Sequence, residues 1–182
     1  MNVCFFCGAS EGNQPDYIKK IEGLIAGLPG DSEIIYGGAH IGIMGAVANF
    51  GLKRNLKVTG IMPSHLIEKE VGHQGLTQFI KVDSMHSRKQ LMYEKSDVFV
   101  ILPGGFGTLD ELFEILTWKQ LGMHQKKIII YNMEGYFSSL IKFISEASQK
   151  GFIKKTDLSL LTVCDNLSEI KEELLKVNSH VK

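Results

Sequence analysis

Short apolar runs alternate with amphipathic stretches along nearly the whole chain. The runs predict strands at Asn2–Cys7, Glu33–Tyr36, Lys57–Ile61, Gln78–Val82, Val98–Leu102, Lys127–Tyr131 and Leu160–Val163. The amphipathic stretches predict helices at Pro15–Leu28, Ile43–Asn55, Met85–Lys95, Thr108–Leu121, Phe137–Lys150 and Leu167–Val177. Val3–Cys7, Val98–Leu102 and Ile128–Ile130 are apolar without alternation, as strands are when both of their faces are covered. Strand followed by helix, repeated with short connections, predicts an α/β fold: a doubly wound, mostly parallel sheet with helices on both faces. One stretch, Pro63–Thr77, breaks the rhythm and reads as a loop or small excursion over the active face.

Length and composition narrow the class. A chain of 182 residues corresponds to one domain, 1–182, at about 100–200 residues per domain. Lys+Arg and Asp+Glu balance at 20 each, so the global positive field of a nucleic-acid binder is absent, although a local anion site is allowed. No apolar run approaches the ~20 residues that span a bilayer. Met1-Asn2-Val3 leads directly into a strand without a charged leader, so no membrane partner and a cytoplasmic location are expected.

Cys4 and Cys7 form a CxxC, which invites a redox or zinc reading. On a strand, however, positions three apart point to opposite faces, and no second CxxC or HxxxH accompanies them. Buried structural thiols are expected, and no metal.

Glycine clusters follow three of the predicted strands: Gly8–Gly12, Gly37–Gly42 and the run Pro103-Gly104-Gly105-Phe106-Gly107-Thr108. In a doubly wound sheet the ligand crevice lies at the carboxyl ends of the strands. Glycine there allows sharp turns and lets an anion approach bare N–H groups at a helix start. Three clusters on one rim point to a phosphate or nucleotide, with Gly8 and Gly38 as candidate contacts. None matches GxxxxGK[ST], and Gly37–Gly42 and Pro103–Gly107 lack GxGxxG spacing, which disfavours a P-loop triphosphatase or a dinucleotide fold.

Two helix starts carry candidate chemistry. Thr108-Leu109-Asp110-Glu111 has the spacing of a capping box; alternatively Glu111 borders a ligand bound at the helix start. In Met85-His86-Ser87-Arg88-Lys89, helical angles place Arg88 on an apolar stripe with Met85, Leu91 and Met92. Such an arginine either snorkels to a rim or meets an anion in a cleft, and Lys89 beside it favours the anion. His86 reads as a packed or capping residue rather than a base.

These residues carry a resemblance. Leu102–Glu111, LPGGFGTLDE, is similar to the PGGxGTxxE signature of the Lonely Guy family, often mislabelled as lysine decarboxylases, and Met85–Lys89 resembles its MHxRK segment. The likeness runs in order from Phe6-Cys7-Gly8-Ala9-Ser10 through Tyr36–Gly45, Gly60–Pro63 and Thr117–Gly122 to Gly135-Tyr136-Phe137. It implies a Rossmann-like homodimer that hydrolyses the N-glycosidic bond of a nucleoside 5′-monophosphate: a cytokinin riboside 5′-monophosphate, or AMP. Carried over by motif, the catalytic pair is Arg88 and Glu111. The substrate contacts are Lys89, Gly105, Phe106, Gly107, Thr108, Leu109, Asp110, Thr117 and, by an ungapped count of seven residues from Pro63, Glu70. Ala39, Ile43, Phe106 and Asp110 depart from the usual residues of the family, and Asp110, beside the catalytic carboxylate, is the one placed to tune substrate choice.

The residue types suit the reaction. Cleaving a ribose–base bond develops oxocarbenium character, which a carboxylate such as Glu111 stabilises, or it activates the attacking water. The N–H groups of Gly104–Thr108 would hold the 5′-phosphate, and Arg88 would pair with phosphate or ribose, or with the departing base. No metal and no redox cofactor are needed. A non-catalytic nucleotide-binding or carrier protein is the rival reading; a pyridoxal-dependent lysine decarboxylase lacks a sequence context for its Schiff-base lysine. In the helix after the signature, Leu109, Leu112, Phe113 and Leu116 form a stripe expected to cover the sheet. Ile115 and Trp118 lie off that stripe, for a partner copy.

Overall fold

The computed structural model describes residues 1–67 and 71–181. Its elements run β1 Asn2–Phe6, α1 Asp16–Ala26, β2 Glu33–Tyr36, α2 Gly42–Lys53, β3 Lys57–Pro63, β4 Gln78–Val82, α3 Met85–Lys95, β5 Val98–Ile101, α4 Phe106–Gln120, β6 Lys127–Tyr131, α5 Ser138–Gln149, β7 Thr162–Cys164 and α6 Leu167–Val181. The seven strands form one sheet in the order β4-β3-β2-β1-β5-β6-β7, and every pairing is parallel. β1 lies inside, with Val3 opposite Ile34 of β2 and Val98 of β5.

The unalternating strands are apolar because both faces are covered. Val3, Phe5 and Val100 face a core closed by α1, α2 and α6; Cys4, Phe6 and Phe99 face a second core closed by α3, α4 and α5. Cys4 and Cys7 accordingly enter different layers, and all three cysteines are buried free thiols.

Three expectations are corrected. The last strand begins at Thr162 rather than Leu160, because Lys155–Leu160 coils into a 3₁₀ turn. Helix α4 begins at Phe106, two residues before Thr108. Its inward face is Thr108, Glu111, Leu112 and Ile115, while Phe113 is exposed. These four positions follow i, i+3, i+4, i+7 spacing. A stripe drawn through apolar residues alone is turned away from the buried face because two of its members are polar.

Past β3, Val71–His73 pack over the turn between β2 and α2. Val71 accepts from the His40 N–H at 2.8 Å, the His73 N–H donates to the Gly38 carbonyl at 2.9 Å, and Ala39 and Gly72 form an isolated antiparallel bridge.

Two buried histidines are built in as neutral rings. His73 Nδ1 accepts from the Gly75 N–H at 3.0 Å, with Nε2 3.1 Å from Asn49 Oδ1; His124 Nδ1 accepts from the Lys126 N–H at 3.1 Å, with Nε2 2.9 Å from the Ile115 carbonyl. Protonation would set Nδ1–H against an N–H donor. Burial lowers both below the ordinary histidine range, helped by His40 for His73 and by Lys119 and Lys126 for His124. The unfolded chain then binds these protons first, so this stability is complete above the ordinary histidine value of about 6.5 and lost as pH falls through the depressed values. Calorimetry should show Tm falling between about pH 7 and pH 5; a Tm that climbs across that interval contradicts the assignment.

Candidate active site

The chain leaves β1 towards β2 and returns from β4 through α3 to β5, so the strand order reverses between β1 and β5. That reversal opens the crevice of a doubly wound sheet at the carboxyl ends of its strands. Here the loops after β1 and β5 are joined by a hydrogen bond from the Gly8 N–H to the Pro103 carbonyl, 3.0 Å. The loop after β1 also receives the Met44 N–H on the Gly8 carbonyl, 3.1 Å, which ties down the start of α2.

A cavity of about 260 Å³ opens beside this junction, lined by Gly8, Ala9, Gly37, Met44, Met85, Arg88, Gly105, Gly107, Thr108 and Glu111, with Phe5 and Cys7 beneath. A second cavity of about 660 Å³ shares Gly8, Ala9 and Gly105 with it and adds Ser10, Asn13, Tyr17, Gly104 and Tyr136. The two chambers thus meet across the β1 and β5 loops.

Helix α4 points its start at both. Gly105 is its N-cap and no side chain caps its first turn. The capping-box reading is therefore overturned: with the helix beginning at Phe106, Thr108 lies inside the first turn, and Glu111 is one turn further along the same buried face. The uncapped N–H groups and the helix dipole favour an anion there.

Arg88 comes from α3, whose start is capped by Ser84 Oγ accepting from the Ser87 N–H at 3.1 Å. Its side chain does not snorkel. The residue is 5% exposed, Nη2 donates to the Gly37 carbonyl at 3.0 Å, Nη1 lies 3.8 Å from Met85 Sδ, and Nε is buried with no hydrogen-bond partner among the described residues. A guanidinium has five N–H donors and keeps its charge when buried, so one held this way is poised for an acceptor from outside the chain.

The glycine that admits it is Gly37, where a Cβ would overlap Arg88 Nη2. Gly38 lines neither cavity. With φ +87° it turns the chain towards β3 and β4, and a Cβ there would press on Phe79 and Met62 at 3.3 and 3.4 Å.

Electrostatics in the cavity favour a neutral thiol at Cys7. Burial, reinforced by the negative charge of Glu111, pushes that thiol well above its ordinary range, so it is no thiolate nucleophile. Lys89, next to Arg88, turns the other way: its Nζ lies 3.0 Å from Glu114 Oε1 and 3.2 Å from Asp110 Oδ2, and it lines neither cavity. Burial pulls its pKa down, but the bonds to Glu114 and Asp110 outweigh that and raise it.

The remaining expected contacts are dispersed. Phe106 stands 93% exposed on the rim, and Leu109 packs partly buried against the core under α4. Thr117 Oγ1 donates to the Phe113 carbonyl at 2.7 Å and lies on a separate apolar groove with Leu116, Ile141 and Leu158. Glu70 lies outside the described residues. Residue-type reasoning missed Met44 and Met85, which read as ordinary core, and Tyr136, whose Oη donates to the Gly104 carbonyl at 2.7 Å. Gly135-Tyr136-Phe137 was the available signal for the tyrosine. Among the described residues no group of three or more His, Cys, Asp or Glu is placed to hold a metal, and no helix is long and apolar enough to cross a membrane.

Fold and site together define a Rossmann-like α/β protein with a glycine-rich rim and a buried Arg–Glu cavity at the reversal of its sheet. Residues 44–174 match the family profile described as "Possible lysine decarboxylase". The cytokinin riboside 5′-monophosphate phosphoribohydrolase LOG1 of Arabidopsis thaliana is 36% identical over 173 residues, covering 94% of this chain and 81% of that protein. The cytokinin riboside 5′-monophosphate phosphoribohydrolase of Rhodococcoides fascians is 39% identical over 168 residues, covering 91% and 85%. The chain belongs to this family, the Lonely Guy phosphoribohydrolases. The same fold recurs in the Moco carrier protein of Chlamydomonas reinhardtii, with TM-score 0.72 at 14% identity over 98% of both chains. It recurs too in the molybdenum cofactor binding protein of Rippkaea orientalis, with TM-score 0.67 at 17% identity over 97% and 96%.

The packing of the rim generates a test. A Cβ on Gly104 would overlap the Thr108 hydroxyl and stand 2.7 Å from the Gly8 nitrogen, whereas one on Gly107 meets nothing within 4 Å. Gly104→Ala should cost about 1–3 kcal/mol of stability, as overpacking does. Gly107→Ala should hold or slightly raise Tm, as alanine in a helix does. Thermal melts of the two variants decide it.

Proposed function

We propose that this chain hydrolyses the N-glycosidic bond of a purine riboside 5′-monophosphate, a cytokinin riboside 5′-monophosphate or AMP, releasing free base and ribose 5-phosphate. The observation that carries the reading is Arg88, buried in the cavity that Glu111 lines, beside the uncapped start of α4, with no hydrogen-bond partner for its Nε among the described residues. The first-turn N–H groups and the Thr108 hydroxyl hold the 5′-phosphate and so fix the ribose relative to Glu111. Arg88 meets phosphate or ribose. Water adds to the anomeric carbon as its bond to the base nitrogen breaks, and the base leaves with a proton. Glu111 stabilises the oxocarbenium-like charge or takes the proton of the attacking water. The second chamber, which shares Gly8, Ala9 and Gly105 as walls, offers the nucleotide room beside the Arg–Glu cavity.

A lysine decarboxylase needs a lysine for the Schiff base with pyridoxal phosphate. None lines either chamber among the described residues, and Lys89 is engaged by two carboxylates. A pure carrier has no use for a carboxylate beside its anion site. The buried free thiols suit a reducing cytoplasm, and the exposed Phe113 beside the apolar groove on α4 suits a homodimer. Sedimentation at micromolar concentration should show two copies; a monomer contradicts the dimer.

Incubation with AMP and with isopentenyladenosine monophosphate should yield free base and ribose 5-phosphate. Binding without turnover by the parent protein would favour the carrier reading. Glu111→Gln should melt within a few degrees of the parent, still bind AMP, and lose at least about a hundredfold in kcat. Full activity in that variant contradicts the mechanism. Arg88→Ala should lose AMP affinity along with turnover.

A further inference from the structure

The pair assigned to the chemistry sits on two different helices, Arg88 on α3 and Glu111 on α4, so their relative placement depends on how those helices are joined. At the end away from the cavity the join is aromatic: Tyr93 and Trp118 meet edge to face with ring centroids 5.2 Å apart. One turn closer to the cavity on each helix, four residues back, stand Lys89 and Glu114. Here the join is ionic. Lys89 Nζ lies 3.0 Å from Glu114 Oε1 and 3.2 Å from Asp110 Oδ2, so the residue following Arg88 grips the residue preceding Glu111 and the one three places after it.

This ion pair is partly out of water. The Lys89 side chain is 12% exposed and that of Glu114 22%, and Glu114 Oε2 is buried with no hydrogen-bond partner among the described residues. A carboxylate placed so loses heavily if its one cation turns away to a ligand, because an uncompensated charge is then left desolvated. Asp110 is more exposed and holds the same ammonium from the solvent side.

We propose that Lys89 is a positioning residue rather than a substrate contact: with Glu114 and Asp110 it clamps α3 to α4 beside the cavity and sets the distance and orientation between Arg88 and Glu111. The inference rests on the phosphoribohydrolase reading for its catalytic consequence, and on the geometry alone for the clamp. The clamp engages Asp110 and Glu114, neither of which lines the cavity, whereas Glu111 does.

A clamp and a phosphate contact predict different kinetics. Lys89→Met keeps the aliphatic stem and removes the charge. The clamp predicts that kcat for base release from AMP falls at least about tenfold with KM changed by less than about threefold, since small misplacement of reacting groups costs rate. Lys89→Arg, able to meet both carboxylates with its fork, should restore most of kcat. Glu114→Gln, which touches no substrate, should reproduce the kcat loss. If Lys89 instead met phosphate, Lys89→Met would raise KM and the dissociation constant for AMP, and Glu114→Gln would leave both unchanged or tighten binding. That pattern overturns the proposal.

Hydrogen exchange supplies a readout independent of turnover. Amides at the starts of α3 and α4 should lose protection in Lys89→Met and in Glu114→Gln, and regain it in Lys89→Arg. Should the parent protein release no base at all, the phosphoribohydrolase reading fails while exchange still decides the clamp. Unchanged protection in both charge-removing variants refutes it.

Discussion

The site depends on how closely two loops cross. The turns after β1 and β5 approach so tightly that a Cβ on Gly8 would lie 3.1 Å from the Gly104 Cα, and the Gly8 N–H is spent on the Pro103 carbonyl. Only backbone fits between them. That contact brings the start of α4 against β1 and leaves room on either side for a chamber. Side chains at Gly8 and Gly104 would separate the loops and move the helix start, and with it the N–H groups that make the rim attractive to an anion.

On that frame the charges are sorted by helix. The anion-attracting elements, the uncapped start of α4 and the buried guanidinium of Arg88, converge on one cavity. The acids on α4 divide by angle: Glu111 lies on the face towards the cavity, while Asp110 and Glu114 lie towards α3 and are taken up by Lys89. Adjacent residues on a helix point about 100° apart, so one step in sequence converts a site residue into a neighbour's partner. The same step separates Arg88 from Lys89. A sequence motif groups such residues together; the helix distributes them.

This angular sorting explains what could be read from the chain and what could not. The strands were legible because runs such as Val98–Ile101 have no polar alternation, a direct consequence of helices on both faces of the sheet. The glycine rim and Arg88 were legible too: glycine before a helix and arginine on an apolar stripe each conflict with a bland reading. The start of α4 was not, because Thr108 and Glu111 imitate a capping box whose true N-cap, Gly105, has no side chain to signal it. Gly37 and Gly38 are adjacent and chemically identical, and the fold tells them apart: Arg88 donates to the Gly37 carbonyl, whereas Gly38 turns at φ +87° towards β3 and β4. Met44 and Met85 look like core in any pattern, since a cavity wall and a core demand the same apolar surface.

The scaffold by itself leaves the chemistry open. A TM-score of 0.72 at 14% identity to a Moco carrier protein shows that the wound sheet tolerates replacement of most side chains. What such a sheet supplies on its own is geometric: glycine turns, helix starts and a crevice at the reversal of strand order, which are enough to hold an anion. Turning a held anion into a substrate takes a group that responds to charge developing at the bond being broken. In this chain only Glu111 combines an acid function, burial and a place on the cavity wall among the described residues. It sits one turn beyond the uncapped N–H groups of α4, so the anion-attracting helix start and the carboxylate are carried by a single element. A helix that offers uncapped N–H groups at its start and an acid one turn later fixes the spacing between the two by its own geometry.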